Sequence, residues 1–559
     1  MGVFPSRAPC SIIPGANTRG QSRRSKFFES LRSTSEVRVR TNVQTTSLVI
    51  AVATALAVQT AGTQTARPAI ASGPDLKATL DRAANALGMI RGPQRIDALS
   101  TVEYWGTGFT YAIGQSFRPD MPWPAFKATY HAGIGYQVPG MRVDITRSNP
   151  DGPVQGGGGL PLAAAQRQIQ VVRGQFAWNE SEPGAGLVPG AGTATPAPAA
   201  VNERLLQLWT TPYGVIKAAM KAGANAKASV ERGATIITFP AVGTLVKTTL
   251  NAKNLVERVE VGSDNPVLGD IVTETTYAGY QDLTEAKSDV LFPAHIVQKQ
   301  GGFPVLDVTI TKTDTNNPYV IFPIPDNVEK AAVTPPRAAT VDTRKMAEGV
   351  WYLTGGTHHS VAVEFTDHVV LVECPQNDAR ALAVIDTVKR TIPRKPIKYV
   401  VNTHHHFDHS GGLRACAAEG ATIITQGLSK PYYERVWALP HTLSPDRLAM
   451  APRKAAIEAV ADKRVLSDST RTLEVYRLEG SRHADTMLVV YLPKEKVLVE
   501  ADAYPPAAPN PLGAPVVEAV NLYDNIRRLK LDVQQIAPIH GRWVTINDLR
   551  AAIGRPSTN

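Results

Sequence analysis

Cysteine is scarce, with three residues in a chain of 559, and that excludes a fold stapled by disulfides. Glycine and proline together make 85 residues, too few for a collagen-like or low-complexity chain. A long apolar run is also missing. The most apolar uncharged stretch, Ser47 to Val58, is about a dozen residues, short of the roughly 20 that span a bilayer. At 43% hydrophobic residues the chain is too apolar to be disordered and too long for one ordinary core, so more than one domain is expected.

Basic residues exceed acidic ones by ten, but the excess is local. Nine basic against two acidic residues put +7 into the first 71 positions and leave +3 for the other 488. A nearly neutral body gives no electrostatic footprint for tracking phosphates, so no nucleic-acid partner is expected.

Residues 1–71 have the grammar of an export signal: a basic stretch to Arg40, the apolar run, then small residues ending Ala69-Ile70-Ala71. Cleavage near Ala71 and a periplasmic or secreted mature protein without a stable membrane span are expected. Ser22 to Phe28 resembles a twin-arginine signal with its aromatic residue one place late, and a start nearer Val37 or Val39 would leave Arg38 and Arg40 as a short basic region. After cleavage Cys374 and Cys416 remain, and pairing and free thiols both stay open.

Residues 72–335 alternate with period two across Thr244–Leu250, Leu255–Val261, Ile271–Tyr277, His295–Gln300 and Val305–Thr311. That predicts a β-rich, mostly antiparallel α+β domain, resembling in pattern the curved sheets of periplasmic carrier or lipoprotein-sorting domains. One helical stretch, Asn202 to Ala222, is interrupted at Pro212. The loops Asp151–Gly159 and Pro183–Ala200 hold few large side chains and are expected to be mobile surface segments. Pro323, Pro325, Pro335 and Pro336 mark a linker. Beyond it, over 345–559, short apolar runs alternate with helical stretches such as Ala379 to Thr391, which is α/β grammar.

Ten of the twelve histidines fall between His358 and His540, and neutral imidazole is the commonest zinc ligand. Their focus is Thr403-His404-His405-His406-Phe407-Asp408-His409-Ser410-Gly411-Gly412, directly after the apolar run Ile397 to Val401. On an extended segment His404 and His406 face one side while His405 points away. His368 and His441 are expected at the surface.

This segment resembles the H-x-H-x-D-H motif of the metallo-β-lactamase superfamily, and the later parts of that pattern follow in order. They are His483 in Gly480 to Thr486, Asp502 at the end of Val497 to Asp502, and His540 in Ile536 to Gly541. The resemblance covers about 345–559 and implies an αβ/βα sandwich. It further implies one metal on His404, His406 and His483, a second on Asp408, His409 and His540, and Asp502 bridging them. Two zinc ions are the implied cofactors, with iron or manganese as alternatives. Such a pair lowers the pKa of a bound water to give a nucleophile near neutral pH, and Asp408 is placed to accept a proton. His358, His359 and Tyr504 are candidate substrate or supporting residues.

The fold alone does not choose a substrate. Aspartate rather than cysteine at 502, with His409 completing a second site, is similar to glyoxalase II and lactonase-type hydrolases. The expectation is therefore an exported dinuclear zinc hydrolase acting on a small ester, lactone, thioester or related bond. Two other readings stay open: an envelope binding or sorting protein with a vestigial metal domain, and a mononuclear iron oxygenase.

Overall fold

Period-two alternation with turn residues between runs makes antiparallel strands, and in the computed structural model thirteen of them form one sheet. The structure describes residues 73–92, 96–331, 338–506 and 517–555; the segment expected to be an export signal and Pro335–Pro336 lie outside these. The sheet consists of two meanders. Strands from Thr101–Tyr111 to Ala194–Pro196 form one, and strands from Lys227–Glu231 to Phe303–Thr315 form the other. They are joined where Thr101–Tyr111 pairs antiparallel with Phe303–Thr315, so the first and last strands meet in the middle of the sheet.

The chain between the meanders supplies two helices, Val201–Trp209 and Pro212–Ala222. Proline is tolerated in a first helical turn but not inside one, so the break falls at Thr210–Thr211, as Pro212 predicts. Together with Leu76–Ala86 these helices bury Leu80, Leu208, Tyr213 and Ile216 against Tyr104, Tyr130, Phe239 and Phe292 of the sheet. The two loops read as mobile surface segments are not free excursions. Ala194–Pro196 pairs with Phe176–Glu180 as the sheet's last strand, and the run around Gly157 is enclosed at the site described below.

The C-terminal region is two sheets face to face. The first has seven strands between Asp342 and Val460, antiparallel at its start and parallel from Val369–Val372 onward; the second has six, between Lys463 and Thr545. Buried runs such as Val497–Glu500 send alternate side chains to opposite faces: Val497 and Val499 enter the core between the sheets, and Leu498 enters the layer outside. Helices Asp378–Thr391, Leu413–Ala418 and Ser429–Val436 cover one outer face, and Val517–Arg528 and Ile546–Ala552 cover the other. This is the expected αβ/βα sandwich behind a β-rich region.

The two regions share a core. Trp123, Val267 and Leu268 from connections of the thirteen-stranded sheet, with Ile271 of a strand, pack with Val388, Leu413 and Tyr433 of the sandwich. Trp123 stacks on Phe303 at 4.7 Å and meets Phe407 edge-on at 5.7 Å. The expectation that His368 and His441 are surface residues is corrected: they are 8% and 6% exposed. His368 stacks on Phe365, and His441 fills the junction beside Gly269. Cys374 and Cys416 pair as a disulfide between the end of a core strand and the helix Leu413–Ala418. Among the described residues no helix is long and apolar enough to cross a membrane.

Candidate metal centre

Strand Ile397–Val401 is paired on both edges, and it delivers the chain to a turn that is hydrogen-bonded throughout. Thr403 N–H donates to Glu373 Oε1 at 2.6 Å, Asn402 Nδ2 donates to the His404 carbonyl at 2.7 Å, and Tyr433 OH donates to Asn402 Oδ1 at 2.6 Å. Gly411 follows because the Gln376 carbonyl oxygen lies 2.0 Å from where a Cβ would sit. The turn is thereby fixed before any ligand arrives, which is what a preorganised site needs.

Two groups of donor atoms result. His404, His406, His483 and Asp502 form one, and His358, Asp408, His409 and His540 form the other, with the ligand atoms of each group within 4.8 Å of one another. Asp502 stands between them, at a left-handed φ of 59°. Its Oδ2 lies 3.2 Å from His404 Nε2, 3.0 Å from His409 Nε2 and 3.0 Å from His483 Nε2, and its Oδ1 lies 2.9 Å from His540 Nε2. Four imidazoles thus converge on one partly buried carboxylate.

The donor chemistry fits divalent cations. Ring nitrogens face each other at 3.0 Å between His404 and His406 and at 3.1 Å between His409 and His540, and the buried His483 Nε2 lies 3.0 Å from Asp502 Oδ2 without hydrogen-bond geometry. Burial, followed by the charge of His409, pushes the His404 pKa down to about 4. Burial also holds His406 well below the ordinary value, so both present the neutral, metal-binding form. Burial opposes ionisation of Asp408 and Asp502, but neighbouring imidazoles, His409 foremost, outweigh it and hold both carboxyls below their usual range.

The outer nitrogens are held as well. Thr403 Oγ1 lies 3.0 Å from His404 Nδ1, Glu373 Oε2 lies 3.3 Å from His409 Nδ1, and His406 Nε2 donates to the Ser116 carbonyl at 2.9 Å. That last bond leaves His406 Nδ1 as the free nitrogen toward the cluster.

Residues 353–554 match the family model described as the metallo-beta-lactamase superfamily. This region is a metallo-β-lactamase-superfamily domain. An (R)-specific secondary-alkylsulfatase from Pseudomonas sp. is 28% identical over 200 residues, covering 28% of this chain and 29% of that protein. The 2,4-dinitroanisole O-demethylase subunit alpha of Nocardioides sp. (strain JS1661) is 24% identical over 168 residues, covering 29% of this chain and 46% of that one. The chain therefore spans less than half the length of either curated relative. A solved metallo-β-lactamase from Pontibacter korlensis covers 38% of this chain and 98% of its own at 20% identity, with a TM-score of 0.29.

The metallo-β-lactamase domain does not build its site alone. From the turn after strand Thr101–Tyr111, Gln115 Nε2 donates to Asp408 Oδ1 at 2.8 Å, and the Phe117 carbonyl accepts from Asp485 N–H at 2.9 Å. Asp485 also pairs with Arg118 at 2.7 Å and with Arg477 at 2.8 Å. The glycine run closes over His406, and a Cβ on Gly157 would lie 2.0 Å from Gln115 Oε1 and 2.8 Å from His406 Cε1. Only a residue without a side chain fits there, so the run expected to be mobile surface is instead a wall of the site.

All seven expected metal-site residues lie in the two groups. His358 joins them, its Nε2 3.0 Å from Asp408 Oδ2. His359 sits behind the cluster, where its Nε2 donates to the Gly541 carbonyl at 2.8 Å and braces the His540 turn. His405 points away, toward Ser116 Oγ and Thr486 Oγ1. Tyr504 packs its ring among Leu522 and Leu549 in an apolar cluster, a place that suits packing rather than substrate contact. Sequence reasoning missed Glu373, Gln115, Ser116 and Gly157. The only trace of the last was the four-glycine run, and that was read as looseness.

Proposed function

We propose that the protein is an exported metal-dependent hydrolase with a dinuclear, zinc-binding site that cleaves a small ester, lactone, thioester or sulfate-ester bond. The observation that supports it most is Asp502 between two histidine groups, one carboxylate within 3.2 Å of four ring nitrogens. His404, His406 and His483 would hold one cation, Asp408, His409 and His540 the other, and Asp502 would contact both. When bound, such a pair supplies Lewis acidity and a water of lowered pKa.

The chain's own residues do the rest. Glu373, Thr403 and Ser116 orient the imidazoles, while Gln115 and His358 orient Asp408, which is placed to hold a proton at its carboxylate. The loops from the N-terminal region narrow access to the cluster. The alkylsulfatase relative adds sulfate esters to the substrate classes worth assaying. The test is a panel of these bond types with metal-loaded protein, with chelated protein and with Asp502→Ala. Turnover of at least one class, abolished by chelation and by the substitution, is expected; no turnover of any class by loaded protein contradicts the reading.

A further inference from the structure

A cavity of about 570 Å³ opens between the thirteen-stranded sheet and the metal cluster, with Asp408, His483, Asp502 and His540 on one side and Ala112, Ile113, Phe126 and Arg147 on the other. Arg147, on strand Gly140–Ser148, supplies the cavity's guanidinium. No carboxylate lies within 4.0 Å of it among the described residues, whereas the neighbouring Lys127 and Arg142 each have an acidic partner. Its Nε is buried and bonds to nothing, and its Nη2 makes only a long 3.4 Å contact with Gln168 Oε1. The guanidinium lies 5.7 Å from the centroid of the Phe126 ring, which itself packs with Ala112 and Leu162.

A partly buried cation costs stability unless something neutralises it, and this one is placed beside an aromatic face at the wall of a cavity. A planar guanidinium presents donors in a fork that matches carboxylate, sulfate and sulfonate oxygens. The adjoining wall of Ala112, Ile113 and Phe126 is apolar. We propose that Arg147 is a specificity-determining residue that seats an oxyanion group of the substrate, and that the substrate is a small amphiphilic anion whose apolar part lies on this wall. The placement of the scissile bond at the cluster rests on the hydrolase reading; the anion site does not. It also gives the β-rich region a role in selecting what the metal-bearing domain meets.

Two measurements on the metal-loaded full chain test this, with wild type beside Arg147→Gln, Arg147→Met and Arg147→Lys. Calorimetric titration with hexane-1-sulfonate, which cannot be hydrolysed, is expected to show binding to wild type, at least tenfold weaker binding to the Gln and Met variants, and partial recovery with Lys. Hexan-1-ol should distinguish none of them. In parallel, 4-nitrophenyl hydrogen glutarate and its methyl ester compare one leaving group with and without a carboxylate. The ratio of their kcat/KM values is expected to fall at least tenfold in the neutral variants, through KM of the charged ester. Equal sulfonate affinity in all four proteins, no sulfonate binding to wild type, or a parallel decline of both esters overturns the proposal. If neither ester turns over while sulfonate binding still depends on Arg147, the anion site stands on its own and the panel of bond types decides the hydrolase reading.

Discussion

Gln115 Nε2 donates a 2.8 Å hydrogen bond to Asp408 Oδ1 across 293 positions of sequence, so a loop of the β-rich region orients a proposed metal ligand of the other. Removing partners of this kind typically costs 10–100-fold in metal affinity or activity. Gln115→Ala is expected to weaken the second cation by roughly tenfold or more while the first stays bound, as read by competition with a chromogenic chelator. Unchanged affinity at both sites would make the contact incidental.

Gly157 is one close point of that docking, because a methyl group there would overlap Gln115 Oε1 and crowd His406. Overpacking a rigid site costs about 1–3 kcal/mol. Gly157→Ala is expected to lower the thermal midpoint of metal-free protein and to reduce metal affinity, whereas Gly159→Ala, with no atom within 4 Å of its added Cβ, tests the left-handed backbone alone. Gly157 itself is not left-handed, so an unchanged midpoint and unchanged metal affinity in Gly157→Ala would show that close packing at 157 is not the constraint.

The pair Cys374–Cys416 closes a loop with a sequence separation of 42, which in the chain-entropy account stabilises by roughly 4 kcal/mol. Intact-mass analysis after alkylation of the denatured, unreduced chain should find neither thiol modified. Reduction, or Cys416→Ala, should lower the urea midpoint. Labelling of both thiols in the denatured, unreduced chain would refute the pairing.

His441 offers a pH readout away from the metal cluster. Burial, then the charge of Arg414, lowers its pKa from 6.5, while Asp446, Asp264 and Asp270 pull the other way without reversing it; its Nε2 is buried and unpartnered. Below pH 6.5 the unfolded chain therefore takes up this proton before the folded one does. The stability contributed by the neutral ring is present above 6.5 and is lost as pH falls toward the folded pKa. Stability plotted from pH 7 to pH 5 should fall less steeply in His441→Gln than in wild type; parallel curves would remove His441 from the account.

What the sequence made legible was whatever short-range chemistry encodes. His404, His406, Asp408 and His409 lie within one turn, whereas His483, Asp502 and His540 were legible only through the resemblance of their segments to the metallo-β-lactamase pattern. The sandwich and the antiparallel sheet were visible because burial on one or both faces dictates period-two or continuous apolar runs. The supporting residues were hidden because their roles exist only after docking. Gln115 and Ser116 sit in an unremarkable turn, Glu373 follows a core strand like many others, and Arg147 occupies a strand position where an exposed arginine would read the same. Gly157 shows the ambiguity most clearly, since a glycine demanded by a close approach and a glycine in a loose loop are the same letter.

A two-cation site organised around Asp502 sets the metal count of the protein. Elemental mass spectrometry of the purified full chain reads that count, wild type beside Asp502→Ala and His483→Ala. About two zinc ions per chain in wild type, with loss in both variants, is the predicted result. A single iron, or a metal content that neither substitution changes, would contradict it.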